Sequence, residues 1–420
     1  MAKRHATNPN TLESIYIRME ELLLANSGED EFEEILKILA IKLWSDMKER
    51  IPISGFDNEN IIDRTNEALR IISSQWPGVV KEAVIHITGV QIKACFMLLD
   101  NYDFISYGYE AIDALFEFIV SKEKKGAKGQ YFTPRYIVNH CVNLAKPQNG
   151  EVIVDPAAGS GAFLYHSARF INNNIDYEND KARYKLFAFD FDEKAVRICK
   201  LLMFVSHMQN SKAYRINSLI THQAQQSLFS AQYEESIITI EDCLRINKID
   251  TKVDLILTNP PFAGEVNEKE ILNNYEVAAG KLRVERDILF IERCIDLLKP
   301  DGRMVIILPD NVFGSQENCV LREWIHKKAK IVAVIGLPRN TFMPHTPVKT
   351  SILLLKKRSK RAMDDEEIFF GISEKAGKNS RGVLLYSDEK KETMENVAHD
   401  LAQIETEFEK FINDRKEQWI

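Results

Sequence analysis

The sequence predicts an α/β protein: a doubly wound, mainly parallel sheet, with a helical domain ahead of it and a separate helix at the C-terminus. Three observations lead there. From about residue 130, short runs that are apolar throughout alternate with stretches of helical periodicity, as strands buried on both faces of a parallel sheet do. Ahead of them, apolar residues recur at helical spacing while Gly and Pro are sparse. Behind them, Met394, Val397, Leu401, Ile404, Phe408 and Phe411 are spaced 3, 4, 3, 4, 3 through strongly charged sequence.

Taken in order, Phe32 to Trp44 carries the helical repeat, and Val84–Leu99 and Ala111–Val120 continue it. Residues 1–125 are therefore expected to form a helical domain, with the Lys/Gly-rich stretch from Lys122 to Gly129 as a linker. Residues 126–370 should hold the sheet. Its strand candidates are Val152–Val154, Leu186–Phe189, Ile237–Ile240, Val253–Leu257, Met304–Leu308, Ile331–Ile335 and Ile352–Leu355, with helices such as Glu193–His207 and Ile288–Leu298 between them. In such a fold, ligands bind at the carboxyl ends of the strands. Residues 371–420 form a tail whose apolar seam either packs on its own domain or pairs with a helix of a partner chain; the second reading is the sharper one.

Composition narrows the class. The chain has 420 residues, 45% hydrophobic and 28% charged, and no apolar run approaches the roughly 20 residues of a membrane helix. The start, MAKRHATNPN, has no apolar stretch behind its basic residues, so it does not read as a secretory signal. Cys95, Cys141, Cys199, Cys243, Cys294 and Cys319 lie far apart without a CxxC pair or a His cluster, which argues against a disulfide framework or a zinc site. A soluble cytoplasmic protein is expected, without a metal. The net charge of -7 is unusual for a chain that holds nucleic acid by itself, because phosphate contacts need cations. Lys122, Lys124, Lys125 and Lys128 form one local basic patch; Lys356, Lys357, Arg358, Lys360 and Arg361 form another. Either could be a solvated loop.

Two sites carry chemistry. The first runs from Val154 and Asp155 through Gly159 and Gly161 to Leu164, a strand, a small-residue turn and a helix. Glycines let the backbone turn sharply and approach a ligand, and the helix start offers N–H groups to a carboxylate. Asp155 at the strand end can face an ammonium group. A ligand bearing both charges, such as the methionine part of S-adenosylmethionine, suits the pair. Leu164 stands where a nicotinamide-binding GxGxxG run would have its third Gly. Asp190 ends the next strand, where a carboxylate can accept both hydroxyls of a ribose. It could instead cap the helix starting near Glu193, although Asp192 can fill that cap.

The second site is Thr258-Asn259-Pro260-Pro261-Phe262, after the strand Val253–Leu257. The Pro260 carbonyl and the Asn259 side-chain oxygen are both acceptors, and together they can hold an exocyclic NH2 with its lone pair toward a methyl donor. Phe262 offers a stacking face to a planar base taken out of its helix. No cysteine lies near, and methylating an amino nitrogen requires none.

At these residues the sequence resembles the N6-adenine DNA methyltransferases in which the glycine motif precedes Asn-Pro-Pro-Phe, and among them the modification subunits of type I restriction–modification systems. Gly129 to Arg135 looks like the motif placed just before the glycine strand in that family, and Phe32–Trp44 is similar to its N-terminal domain. Gly336 to Phe342 and Thr350 to Leu355 resemble its last strands, and the C-terminal seam its helix for meeting a specificity subunit. The resemblance implies a Rossmann-like S-adenosyl-L-methionine-dependent methyltransferase domain that transfers a methyl group to the N6 of a flipped-out adenine in double-stranded DNA. It implies that Tyr131 and Thr133 hold the methionine end, that Asp155, Gly159 and Gly161 cradle it, and that Asp190 binds the ribose. Asn259, Pro260, Pro261 and Phe262 would hold the adenine. For the acidic residue that contacts the cofactor adenine, Asn217 has the spacing and Asp242 the charge; the reading leans to Asp242. Specificity and restriction/translocase subunits are the implied partners, with two copies of this chain per complex.

No GxxxxGK[ST] loop and no convincing nuclease carboxylate cluster is found, so translocation and cleavage should reside elsewhere. Three other readings stay open. They are a protein or RNA amino-methyltransferase, a non-catalytic assembly module, and a stand-alone DNA methyltransferase.

Overall fold

The structure, a computed structural model, describes residues 12–24, 30–47, 58–102, 115, 118–119, 133–174, 184–206, 208, 210–229, 238–359, 366–388, 396–415 and 419–420. The Lys122–Lys128 patch, Gly129 to Phe132 with Tyr131, and Lys360, Arg361 and Met394 lie outside them. The chain divides into two compact units, residues 1–125 with 197–209, and residues 126–196 with 210–420.

The first unit contains helices α1 (Leu12–Leu24), α2 (Glu31–Met47), α3 (Asn58–Gln75) and α4 (Gly89–Leu99). The sequence reading starts the last of these too early. Thr88 is its N-cap, with Gln91 completing a reciprocal capping box that satisfies two otherwise unpaired backbone donors. α2 is buried nearly all round, so its charged residues must be paired. Lys37 donates to Glu34 at 2.7 Å and to the Val84 carbonyl at 2.6 Å, and Glu33 pairs with Arg197.

The second unit is built on an eight-stranded sheet of order β10-β8-β9-β7-β4-β1-β2-β3. The strands are β1 (Val152–Asp155), β2 (Lys185–Asp190), β3 (Ser211–Arg215), β4 (Val253–Thr258), β7 (Leu298–Pro309), β8 (Ala329–Gly336), β9 (Thr350–Lys357) and β10 (Phe369–Ile372), while β5 (Glu265–Val266) and β6 (Val284–Glu285) form a separate ribbon. β3, β2, β1, β4 and β7 run parallel; β9 is antiparallel to both of its neighbours. From β1 the chain winds outward through β2 to β3, then returns to β4 on the other side of β1 and winds outward again to β7. The β1/β4 junction is thus the topological switch point, where a crevice opens at the carboxyl edge.

Apolar alternation covers both faces. Val154, Phe187, Phe189, Ile256, Met304 and Ile306 share one core with α9 (Ile240–Ile246), α10 (Arg286–Leu297) and α11 (Cys319–Lys328). The residues between them, such as Ile153, Leu186, Leu255 and Val305, are equally buried on the other side, where α5 (Arg135–Ala145), α6 (Ala162–Asn173) and α12 (Leu401–Asp414) pack. Two further helices of the described residues are α7 (Glu193–Val205) and α8 (His222–Phe229), and single helical turns lie at Lys269–Leu272 and Asn311–Gly314. Among the described residues no helix is long and apolar enough to cross a membrane.

Two sequence expectations are corrected. The strand expected at Ile237–Ile240 is not seen in its described residues: Ile238 and Thr239 lie outside any strand, and Thr239 is the N-cap of α9. The third strand is Ser211–Arg215, whose only buried residue is Ala213. The C-terminal seam is not a free partner face. Val397 bridges to Tyr386 instead of joining a helix, and Leu401, Ile404 and Phe408 are buried within their own unit. Phe369 of β10 meets Phe408 and Phe411 at ring distances of 5.5 and 5.6 Å, Trp419 donates to the Leu144 carbonyl at 2.7 Å, and Glu405 pairs with His140 at 2.7 Å. From Leu401 to Phe411 the repeat is helical, but the sheet edge and α5 already occupy its seam.

Candidate active site at the switch point

β1 and β4 lie side by side, with Val154 opposite Ile256, so their ends deliver Asp155 and Thr258 together. The Thr258 hydroxyl donates to Asp155 Oδ1 at 2.7 Å, and the Ala157 N–H donates to the same oxygen at 3.0 Å. Asp155 Oδ2 is buried and has no hydrogen-bond partner among the described residues. Burial pushes this carboxyl up to about 7; the two hydrogen bonds pull it down and the nearby Asp190 charge raises it. An orphaned, buried carboxylate oxygen is costly unless a cation arrives to meet it.

After Asp155 the chain turns through Gly159 and Gly161, whose φ values of 54° and 87° lie in the region that side chains disfavour. No atom stands within 4 Å of where a Gly159 side chain would begin, so the turn borders open space. Asp190, at the end of β2, holds this turn. Its Oδ2 accepts from the Gly159 N–H at 2.8 Å and its Oδ1 from the Asp192 N–H at 2.8 Å. Helix capping falls to Asp192, which accepts from the Ala195 N–H at 3.1 Å. A carboxylate oxygen can accept more than one hydrogen bond, so a carboxylate placed here suits hydroxyl groups. The donor set therefore fits a cofactor with an ammonium group and a ribose: an uncompensated carboxylate, an open glycine turn and a second carboxylate beside it.

Directly after β4, Asn259 is half-buried and Pro260 buried. The Asn259 side-chain N–H donates to the Thr133 hydroxyl at 2.9 Å. Asn259 Oδ1 is buried, with no hydrogen-bond partner among the described residues. Pro260 has no N–H and contributes only its carbonyl. The Phe262 ring meets Phe342 edge to face, with centroids 5.6 Å apart at 84°, and makes an aromatic corner next to the two acceptors.

The structure thus brings together Thr133, Asp155, Gly159, Gly161, Asp190, Asn259, Pro260, Pro261 and Phe262. Tyr131 lies outside the described residues. Asp242 is elsewhere engaged: Oδ2 accepts from the N–H and hydroxyl of Thr239 in the α9 capping box, and Oδ1 accepts from Arg245 at 3.2 Å. Asn217 instead follows β3, and the Ser218 hydroxyl beside it donates to the Pro156 carbonyl of the glycine turn at 2.6 Å. The lean toward Asp242 followed the charge; the structure shows that carboxylate engaged in a helix cap. Two aromatic residues were not singled out as site residues. Phe342 belongs to the segment that resembles the family's last strands, and Phe191, 68% exposed, directly follows Asp190. An aromatic residue one position beyond a ribose-type acid is a signal that could have been used.

A sheet that switches direction between a glycine turn and an Asn-Pro-Pro-Phe turn defines the Rossmann-like methyltransferase class. The chain belongs to the N-6 DNA methylase family, whose sequence profile matches residues 103–417. The EcoEI type I restriction enzyme methylase subunit of Escherichia coli is 25% identical over 239 residues, 56% of this chain and 44% of that protein. The chain spans about half the length of the curated relatives it matches. In fold it is similar to the type I restriction-modification system methyltransferase subunit of Streptococcus thermophilus, with a TM-score of 0.60, 15% identity, and coverage of 96% of this chain and 94% of that one. A modification subunit ascribed to a type I restriction enzyme of Vibrio vulnificus YJ016 aligns with a TM-score of 0.66 at 17% identity, over 99% of this chain and 92% of the other.

Proposed function

We propose that this chain is an adenine-specific DNA methyltransferase that transfers a methyl group from S-adenosyl-L-methionine to the N6 amino group of a flipped-out adenine in double-stranded DNA. The observation that carries it is the buried carbonyl oxygen of Asn259, without a partner among the described residues, whose amide nitrogen is already tied to Thr133. A carbonyl fixed in that way waits for an N–H donor, and an exocyclic amino group supplies one.

The cofactor, when bound, supplies an electrophilic sulfonium methyl. Asp155 would meet its ammonium, the Gly159–Gly161 turn would admit its methionine end, Asp190 would accept its ribose hydroxyls, and Phe191 and the Asn217 loop would flank its adenine. Asn259 Oδ1 and the Pro260 carbonyl would each accept one hydrogen of the target amino group, leaving the nitrogen lone pair free to react. Pro261 stiffens that turn. Phe262 and Phe342 exclude water and hold the base.

The chain acts as the modification subunit of a type I-like restriction–modification complex in the cytoplasm, with a specificity subunit, a restriction/translocase subunit and two copies of itself. Residues 1–125 are its helical domain, 126–370 its catalytic domain and 371–420 its tail. Because the apolar seam of α12 is internal, the outward residues Gln403, Thr406, Glu407 and Lys410 are left for the specificity subunit. The test is transfer of labelled methyl from S-adenosylmethionine to DNA, with and without that partner, followed by nucleoside analysis. N6-methyladenine formed only with the partner supports the whole reading. The same product from the chain alone keeps the chemistry and removes the subunit role. No transfer to DNA by protein that binds the cofactor overturns both.

A further inference from the structure

Between Phe262 and α10 the chain inserts residues 263–285. It leaves β4 at the carboxyl edge of the sheet, and α10, which returns to the start of β7, begins at that edge too. The insertion therefore stands over the crevice side. Its base is fixed: Ile271, Leu272, Tyr275 and Ala278 are buried in the core, and the Tyr275 hydroxyl donates to the Leu219 carbonyl at 2.8 Å. The Glu292 carboxylate accepts from the N–H groups of Glu276 and Val277 at 2.7 and 2.9 Å. The β5–β6 ribbon pairs Val266 with Val284, and the Arg286 N–H closes its root on the Gly264 carbonyl at 3.0 Å.

On this base stands a turn from Ala279 to Arg283 with a different character. Leu282 is 82% exposed, the most exposed large apolar side chain among the described residues. Lys281 and Arg283 flank it and Arg286 follows, all three exposed, with Glu265 and Glu285 as the nearby acids. Arg283 meets Glu265 at 3.5 Å with both side chains largely in solvent, a pair worth little that phosphate can replace. Along the ribbon, Leu282 lies no more than about 25 Å of chain from Phe262, inside the ~34 Å of one duplex turn. A lone exposed leucine needs no explanation. A leucine between two cations, on a rigid base rooted in the substrate motif, fits a duplex being opened. Apolar wedges enter base steps while flanking cations hold the phosphates.

We infer that the 280–283 tip grips the DNA duplex beside the target adenine, with Leu282 inserted into the base stack and Lys281 and Arg283 on the flanking phosphates. The inference rests on the reading of DNA as substrate and adds the residues that help take the base out.

The test compares two duplexes as substrates for the full assembly: one fully paired, the other with the target adenine opposite an abasic site, where extrusion is already easier. Leu282→Ala is expected to lose about tenfold or more in methylation rate on the paired duplex, yet to stay within about twofold of the parent on the abasic one. Leu282→Phe, still an apolar wedge, keeps the parent rate on both. Lys281→Ala combined with Arg283→Ala lowers the salt slope of DNA binding by about two, with S-adenosylmethionine affinity unchanged. Equal loss on both duplexes, or no loss on either, overturns the wedge while leaving the DNA reading intact. If the parent protein methylates neither duplex, the DNA reading itself falls and the wedge with it.

Discussion

The two strand ends that meet at the switch point are in opposite states. At β1 and β2 the polar groups largely satisfy one another, since Asp190 takes the Gly159 and Asp192 amides and Thr258 and Ala157 share one oxygen of Asp155. At β4 a single side chain is split, with the Asn259 nitrogen bonded to Thr133 and its oxygen bonded to nothing described. The β1–β2 side is thus largely satisfied within itself, with Asp155 Oδ2 unpaired among the described residues, whereas the Asn259 side presents an acceptor without a described donor. Preorganisation of this kind places the hydrogen-bonding demand where the reacting nitrogen must sit.

Substitutions at β4 should therefore damage turnover and spare cofactor binding, while those at β1 and β2 should do the reverse. Asn259→Ala is the strongest break: turnover is expected to fall by about 10³ with S-adenosylmethionine affinity nearly unchanged, by analogy with loss of one preorganised catalytic hydrogen bond. Near-normal single-turnover rates would dissolve the comparison. Asp190→Ala orphans the Gly159 and Asp192 N–H groups and removes the carboxylate proposed to meet the ribose. Calorimetric titration should show cofactor affinity down roughly 10- to 100-fold, and melting should show a loss of about 1–3 kcal/mol.

Thr133→Val sharpens the contrast, because Thr133 was first read as a cofactor residue and the structure bonds it to Asn259. Removing its hydroxyl should lower kcat about tenfold, with the KM for cofactor unchanged and Thr133→Ser restoring most of the rate. A rise in cofactor KM alone would return Thr133 to the other side of the cleft.

The pH dependence follows from Asp155, which burial raises to about 7. Below that pH the carboxyl is mostly neutral and does not attract an ammonium; above it, it is charged. Cofactor affinity should rise with pH up to about 7, by at most tenfold per unit, and then level off, while Asp155→Asn shows no such rise. In the unliganded protein the sign for stability is opposite. The raised value stabilises the fold most below 3.8, and that contribution is lost as pH climbs through about 7. The smallest effect belongs to Asp242→Ala, which removes a helix cap. A loss of about 1 kcal/mol in thermal unfolding and unchanged methylation are expected; a marked loss of cofactor binding would reinstate Asp242 at the site.

The six interior strands of the sheet were legible in the sequence, and both edge strands were not. β2, β1, β4, β7, β9 and β8 are covered on both faces, so each appears as a nearly continuous apolar run. β3 reads Ser-Lys-Ala-Tyr-Arg with one buried residue, and β10 leaves Phe370 and Ile372 exposed. An edge needs no such run. The false strand at Ile237–Ile240 arose from the same habit, since β-branched residues next to a Thr N-cap look like a strand until the capping box is seen.

The sequence by itself determined the doubly wound class, the order of the glycine and Asn-Pro-Pro-Phe turns, and the residues from Asp155 to Phe262 that the fold gathers at one edge. These are local: strand periodicity, turn residues and prolines act over a few positions. Only the tertiary structure decided the rest. It turned the C-terminal seam inward, kept Asp242 in a helix cap, set Phe342 against Phe262, and bonded Thr133 to an asparagine 126 residues away. Each of these depends on which partner reaches a side chain first, and that is set by packing between segments far apart in the chain.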